Sequence, residues 1–188
     1  MPEENATAID WERQWAPYDE STYEAVLSQV WGSDVVLDIG AGDFRLACRM
    51  AAIARHVYAV EMNPALVSIA RNRPQPHNLS IIQADAYEYP FPPDTTVGVL
   101  LMRHCRQFGT FVEKLMGIAC RRIITNARWG YHVEALDLAT RRLNFSELSM
   151  GWYACLCGAS GFIPGPAEQL TPDLERTIFE VTNCYSCS

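Results

Sequence analysis

The chain has 188 residues, of which 49% are hydrophobic and 20% are charged, and these values are typical of one globular domain. Its formal net charge of −7 disfavours general binding to nucleic acid or to anionic membranes, because phosphate groups repel an acidic surface. No stretch approaches the roughly 20 apolar residues of a membrane span, and the polar start lacks the pattern of a secretory signal. We therefore expect a cytoplasmic protein of one domain, whose oligomeric state the sequence leaves open.

The first 32 residues are predicted to form an N-terminal helical lid. A helix is predicted over Ser21–Val30, where Ser21 and Glu24 have the spacing of a capping box. Tyr18 and Tyr23 are candidates to cover a bound ligand, and ordinary packing is the alternative for each ring.

Residues 33–130 alternate between short apolar runs and segments with helical periodicity. This alternation predicts an α/β three-layer sandwich, in which helices cover both faces of a mostly parallel sheet. Asn63 followed by Pro64 is typical of a helix start, because asparagine caps free N–H groups and proline suits the first turn. The predicted strands are Val35–Ile39, Val57–Val60, Leu79–Gln83, Thr96–Met102 and Arg122–Thr125, and the predicted helices are Phe44–Ala54, Asn63–Asn72 and Phe111–Cys120.

Residues 131–188 have a weaker pattern. A helix is predicted over Val133–Leu143, followed by two strands at Trp152–Cys157 and Thr177–Asn183. Two strands at the end of the chain suggest an antiparallel hairpin on the edge of the sheet.

A glycine-rich turn follows the first predicted strand, in the order Asp38-Ile39-Gly40-Ala41-Gly42-Asp43. In open α/β sheets, ligands bind beside such turns at the carboxyl ends of the strands. A dinucleotide fingerprint requires a third glycine where this chain has Arg45, and Asp43 would repel a pyrophosphate at the helix start. A nicotinamide-dependent oxidoreductase is therefore disfavoured, and a ligand with positive charge is favoured.

Three acidic residues follow or end three successive predicted strands. Asp38 lies at the first strand, Glu61 ends the second, and Asp85 follows the third. A carboxylate such as Glu61 can accept both ribose hydroxyls, and Asp85 can accept from an adenine amine while the Ala86 N–H reaches the ring. The alternatives are a buried acid satisfied by backbone donors, a solvated surface acid and a turn residue, respectively.

The motifs VLDIGAGDFRLA, VYAVEMNP and IIQADAYEYPFPPD together resemble those of the class I S-adenosylmethionine-dependent methyltransferase family, over about Val35–Asn126. The resemblance implies a seven-stranded sheet whose last two strands form the antiparallel edge pair, with S-adenosylmethionine as cofactor. The cofactor-binding residues that it implies are Asp38, Gly40, Ala41, Gly42, Glu61, Met62, Asp85 and Ala86.

The residues after the fourth predicted strand bear on the methyl acceptor. This segment reads Leu101-Met102-Arg103-His104-Cys105 and lacks the Asn-Pro-Pro-aromatic signature of many family members. We therefore expect a small-molecule or protein acceptor rather than nucleic acid, with His104 as a candidate general base and Arg103 as a candidate contact to an acidic acceptor. The acceptor is expected to enter at a mouth beside this segment. Three residues after the fifth predicted strand, Asn126, Arg128 and Trp129, are expected to line the same mouth. A module on the same fold that binds the cofactor without catalysis, or a zinc-stabilised interaction module, is the alternative.

Four of the seven cysteines form two close pairs, Cys155 with Cys157 and Cys184 with Cys187. In an antiparallel hairpin the two pairs would approach each other, and four thiolates suit tetrahedral zinc. The sequence therefore predicts a structural zinc site at these residues. Buried unliganded cysteines are the alternative, and disulfides are less favoured in a reducing compartment.

Overall fold

The computed structural model describes residues 18–103, 105–129 and 132–187. Helices and strands alternate at first, as the sequence predicts, and strands dominate after residue 125. None of the helices in these ranges combines the length and apolar character needed to cross a bilayer. The elements are α1 (Glu20–Leu27), β1 (Val35–Ile39), α2 (Arg45–Ala51), β2 (His56–Glu61), α3 (Pro64–Arg71), β3 (Leu79–Gln83), β4 (Val97–Leu100), α4 (Phe108–Gly117), β5 (Arg122–Thr125), β6 (Glu134–Asp137), β7 (Leu143–Asn144), β8 (Gly151–Cys155), β9 (Ser160–Ile163), α5 (Pro172–Arg176) and β10 (Ile178–Thr182), with short 3-10 helices at Phe145–Glu147 and Ala167–Gln169.

Six strands form the central sheet, in the order β3-β2-β1-β4-β5-β6. The first five are parallel, and β6 pairs antiparallel with β5 at the edge. The strand order reverses between β1 and β4, which is where open α/β sheets bind their ligands. The predicted fold class, a mostly parallel α/β sheet with an antiparallel edge, is confirmed, but among the described residues the sheet has six strands instead of seven.

Two apolar layers cover the faces of this sheet. One layer contains buried residues of α1, α2 and α3, and the other contains the buried face of α4. All five residues of β1 are buried, as expected for the centre of a doubly covered parallel sheet.

The helix starts test the local predictions. As predicted, Asn63 caps α3, where its side chain accepts from the Ala65 N–H, and Pro64 occupies the first turn. Helix α1 begins earlier than predicted, because Asp19 and not Ser21 is the cap and accepts from the Thr22 N–H.

The helix predicted over residues 133–143 is wrong. Strand β6 occupies residues 134–137 and pairs with β5, with Thr125 opposite Glu134 and Arg122 opposite Asp137. The sequence Glu-Ala-Leu-Asp has helical propensity, but pairing at the open edge of the sheet overrides it. Leu136 is buried between exposed neighbours, which is the two-residue period of a strand.

The hairpin predicted at the end of the chain is also wrong in its pairing. Strands β7 to β10 form a separate sheet, the C-terminal sheet, in the order β7-β10-β8-β9. Strand β8 forms its antiparallel hairpin with β9, which the sequence analysis missed, and β10 runs parallel to β8. Because β9 already occupies one side of β8, β10 pairs on the other side, and the connection through α5 brings the chain back in the direction of β8.

Arg128 joins the two sheets. Its side chain is fully buried and forms paired hydrogen bonds with Glu134 at 2.8 and 2.7 Å and with Glu180 at 3.0 and 2.6 Å. Glu134 belongs to β6 and Glu180 to β10, so one guanidinium connects the edge of the central sheet to the C-terminal sheet. Because two carboxylates surround it, the pKa of Arg128 stays above its ordinary value despite burial, which acts in the opposite direction.

Replacing Arg128 with alanine should destabilise the protein by about 3–5 kcal/mol, because it leaves two carboxylates facing each other without their shared cation. Urea denaturation followed by tryptophan fluorescence measures this loss. The matched control is Arg121→Ala, whose side chain is exposed and which should change the free energy of unfolding by less than about 0.5 kcal/mol. A loss below about 1 kcal/mol in Arg128→Ala would show that the two sheets do not depend on this contact.

Candidate functional site

The three predicted acids lie at neighbouring strand ends. In the register of the central sheet, Asp38 pairs with Ala59 of β2, and Glu61 pairs with Gln83 of β3. The Ala84 N–H donates to the Glu61 carbonyl at 3.1 Å, so the turn that carries Asp85 begins directly beside Glu61. The carboxyl edge of β1, β2 and β3 therefore carries all three acids in sequence.

The glycine-rich loop, residues 40–43, folds tightly over the end of β2. The N–H groups of Gly40 and Ala41 both donate to the Val60 carbonyl at 2.9 Å. Gly40 and Gly42 have φ values of 74° and 58°, a backbone conformation that residues other than glycine rarely adopt. A Cβ on Gly40 would collide with the Met102 methyl, so a ligand approaching Gly40 from that side must displace Met102.

Glu61 fixes the glycine-rich loop to β2. One carboxylate oxygen, Oε2, accepts from the Gly42 N–H at 2.9 Å, and Oε1 accepts from the Asn63 N–H at 2.8 Å. The residue is only 7% exposed. Because an ionised carboxylate has about four lone-pair sites, Glu61 retains acceptor capacity for two further donors, such as a pair of hydroxyls.

Asp38 is buried with an incomplete set of partners. Its exposed fraction is 3%, and within the described ranges no donor contacts its Oδ2 atom. Burial, together with the negative charges of Glu61 and Asp43, raises the pKa of Asp38 to about 7. A buried carboxylate without a donor is costly, and a cationic group bound beside it would remove that cost.

Asp85 has a different environment. It is exposed, and its Oδ1 accepts from the Tyr87 N–H at 2.9 Å, which is the turn role considered as its alternative. Ala86 is buried directly after it. The structure therefore brings Asp38 and Glu61 together in a buried pair, with Asp85 on the adjoining turn at the surface.

The turn after β3 is held by a residue that the sequence analysis missed. Lys114 of α4 donates from Nζ to the carbonyls of Ala86, Tyr87 and Tyr89, at 2.6, 2.6 and 2.8 Å. Removal from water lowers the pKa of this amine. A single lysine on an amphipathic helix carries no pattern that predicts this contact.

The segment after β4 is covered by the start of the described chain. The Tyr18 hydroxyl donates to the Leu101 carbonyl at 2.8 Å, and the Arg103 guanidinium lies 4.9 Å from the centre of the Tyr18 ring. This placement agrees with a covering role for Tyr18. His104 and residues 1–17 of the predicted lid lie outside the described residues, and Met62 is 66% exposed beside the end of β2.

The residues predicted to line the mouth after β5 have separate roles. Arg128 is committed to Glu134 and Glu180, so its prediction as a mouth residue is wrong. Asn126 Oδ1 and Trp129 Nε1 are buried and have no hydrogen-bond partner among the residues that the structure describes. Trp129 also packs edge to face against Trp152 of β8, with ring centres 6.4 Å apart.

A surface pocket of about 450 Å³ lies to one side of this edge. It runs along α2 between α1 and the end of α3, and Tyr23 and Phe44 contribute to its wall. Asp38, Glu61 and Asp85 are absent from its lining. The glycine-rich loop, where Asp43 borders this pocket, separates it from the acidic strand ends.

The central sheet is similar in sequence to known proteins. The family model described as a methyltransferase domain matches residues 36–125. The probable ribosomal RNA small subunit methyltransferase A of Methanosarcina acetivorans is 40% identical over 68 residues, which cover 36% of this chain and 25% of that protein. Its counterpart in Methanosarcina mazei is 47% identical over 60 residues, covering 31% and 22%. The match thus spans about a quarter of the length of these relatives.

Solved structures agree at the level of the fold. A dimethyladenosine transferase from Plasmodium falciparum superimposes with a TM-score of 0.51 at 18% identity, covering 57% of this chain and 41% of that one. The family match covers β1 to β5, which carry the glycine-rich loop and the three acids. Residues 36–125 therefore match a methyltransferase domain, and this match supports the resemblance to the class I S-adenosylmethionine-dependent family.

Proposed function

We propose that the chain binds S-adenosylmethionine at the carboxyl ends of β1 to β3 and transfers its methyl group to an acceptor. The buried Oδ2 atom of Asp38, which lacks a donor within the described ranges, carries this proposal because it fits the positive amino-acid end of the cofactor. The free lone pairs of Glu61 suit the two ribose hydroxyls. Asp85, with the Ala86 N–H, is assigned to the adenine ring.

The reaction would need little chemistry from protein side chains. The bound cofactor supplies a methyl group that its positive sulfonium already activates. The acidic strand ends favour that charge, and the glycine-rich loop brings backbone close to it. Tyr18 covers the segment after β4 and would help to exclude water. Arg103 remains a candidate contact to the acceptor, and His104 remains a candidate base.

The names of the relatives change the expected class of methyl acceptor. The Methanosarcina relatives are named as ribosomal RNA methyltransferases, and these names conflict with the expectation that nucleic acid is the less favoured acceptor. That expectation used the net charge of the whole chain, which does not describe the charge around one mouth. Trp152, which is 39% exposed and packs against Trp129 after β5, offers an aromatic surface that suits stacking with a planar acceptor such as a base. RNA therefore joins small molecules and proteins as a proposed acceptor.

The proposal is tested with methyl-labelled S-adenosylmethionine. Label should move from the cofactor to one of three acceptor pools, namely ribosomal RNA, proteins or small metabolites, and the pool identifies the acceptor class. The same preparation is titrated with S-adenosylhomocysteine. Binding without transfer to any pool would favour the non-catalytic alternative, and absence of binding would refute the cofactor assignment itself.

Replacing Glu61 with alanine should weaken S-adenosylhomocysteine binding by about 10–100-fold, because hydrogen bonds to a charged group are worth roughly 1.5–3 kcal/mol. Isothermal titration calorimetry measures the dissociation constant. The control is Glu88→Ala, an exposed acid on the turn after β3, which should bind as the wild type does. Thermal melting of each variant verifies that it remains folded, and unchanged affinity in a folded Glu61→Ala protein would refute the ribose role.

Binding should also depend on the ionisation of Asp38. The pKa of Asp38 in the ligand-free protein is about 7, and a cationic ligand prefers the ionised carboxylate. Affinity for S-adenosylhomocysteine should therefore rise as pH increases from 6 to 8, by up to tenfold per unit below the pKa, and Asp38→Asn should bind weakly without this rise. An affinity of the wild type that is flat across this range would contradict the role of Asp38.

The same pKa gives a stability control without ligand. Because the folded pKa of Asp38 lies above the ordinary value of 3.8, its stabilising contribution is complete below about pH 4 and is lost as pH rises through 7. Ligand-free Asp38→Asn should therefore be more stable than the wild type at pH 8, by up to about 4 kcal/mol. Urea denaturation of the wild type and of Asp38→Asn, at pH 5 and at pH 8, measures the difference in their free energies of unfolding at each pH.

A further inference from the structure

Four cysteine thiols converge in the C-terminal sheet, outside the methyltransferase core. The Sγ atoms of Cys155, Cys157, Cys184 and Cys187 all lie within 4.8 Å of one another. The separations are 3.5 Å between Cys155 and Cys187, 3.4 Å between Cys157 and Cys184, and 3.7 Å between Cys184 and Cys187.

Two tight turns present these thiols to each other. Cys155 ends β8 and pairs in register with Val181 of β10, so the residues after both strands emerge on the same side. In the first turn the Gly158 N–H donates to the Cys155 carbonyl at 3.0 Å, and in the second the Cys187 N–H donates to the Cys184 carbonyl at 3.0 Å. The parallel pairing of β8 and β10, rather than the predicted hairpin, brings the two pairs together.

The spacing of the sulfur atoms fits a metal better than a disulfide. A tetrahedral zinc ion with metal–sulfur bonds of about 2.3 Å requires sulfur atoms separated by about 3.8 Å. The three separations above are close to this edge length. A disulfide brings two sulfur atoms to about 2.05 Å, which is far shorter than these separations, and all four cysteines are free.

The C-terminal sheet has a small apolar cluster of its own. The buried residues of this cluster are Tyr153, Cys155, Val181 and Cys184. Small units with so few buried apolar residues are usually stabilised by disulfides or by a structural metal. Two of the four residues in this core are themselves ligand candidates, so an ion here would act where apolar packing is weakest.

The cysteine cluster also contacts the methyltransferase core. A Cβ added to Gly109, in the first turn of α4, would lie 3.1 Å from the Cys157 Cα, and one added to Gly158 would lie 3.2 Å from the Phe108 Cβ. The turn that carries Cys157 thus packs directly on the start of α4. This helix follows the segment after β4, on the side assigned to the acceptor.

We propose that these four cysteines bind one structural zinc ion, which holds the C-terminal sheet together and fixes the Cys157 turn against α4. Four protein ligands complete a tetrahedral site and leave no position for water or substrate, so the ion is structural and not catalytic. The proposal is independent of the methyl acceptor and of the roles of Asp38 and Glu61.

Metal analysis of the purified full chain tests this assignment. The wild type should contain one zinc equivalent, and X-ray absorption at the zinc edge should show four sulfur neighbours at about 2.3 Å. Cys184→Ser should lose most of the zinc. The matched control is Cys48→Ser, which changes a half-buried thiol of α2 in the methyltransferase core and should retain the full equivalent.

If Cys184→Ser fails to fold, the metal content of the wild type still tests the proposal. Less than about half an equivalent of zinc, a disulfide detected by intact mass, or iron in place of zinc would each overturn the proposal. Removal of the metal with a chelator should increase amide exchange in β8 and β10 while β1 and β4 stay protected. Unchanged exchange in β8 and β10 after complete removal would refute the structural role.

Discussion

The hydrogen bond from the Gly42 N–H to Glu61 Oε2 ties the end of β2 to the loop that follows β1. This bond can form only because glycine allows the loop its left-handed backbone, and because parallel pairing places the two strand ends side by side. It also brings two acids, Asp38 and Glu61, into one buried region, where burial and the charge of Glu61 raise the pKa of Asp38. The fold thus maintains a negative site that a cationic ligand would relieve.

The remainder of the chain supports this edge of the sheet from three directions. Lys114 holds the turn after β3 through three carbonyls, and Tyr18 bonds to the segment after β4. Arg128 attaches the C-terminal sheet next to the end of β5. Tyr18 and Arg128 lie outside residues 36–125, so similarity within those residues does not describe the surroundings of the segments after β4 and β5.

Local patterns predicted the central sheet well. The apolar run Val35–Ile39 and the Asn63-Pro64 start depend on neighbouring residues, and both form as expected. The last sixty residues depend on partners distant in the chain. Residues 134–137 form a strand because β5 offers an open edge, and β10 pairs with β8 on the side that β9 leaves free. In the site, the acids were predictable from strand ends, whereas Lys114 and Arg128 act through tertiary contacts that no spacing encodes.

A crystal structure of the full chain with S-adenosylhomocysteine tests the central claim most directly. We predict that the ligand lies across the carboxyl ends of β1, β2 and β3, with its amino group within hydrogen-bonding distance of Asp38 and its ribose hydroxyls on Glu61. A ligand bound elsewhere, such as in the pocket beside α2, with Asp38 still without a donor, would contradict it.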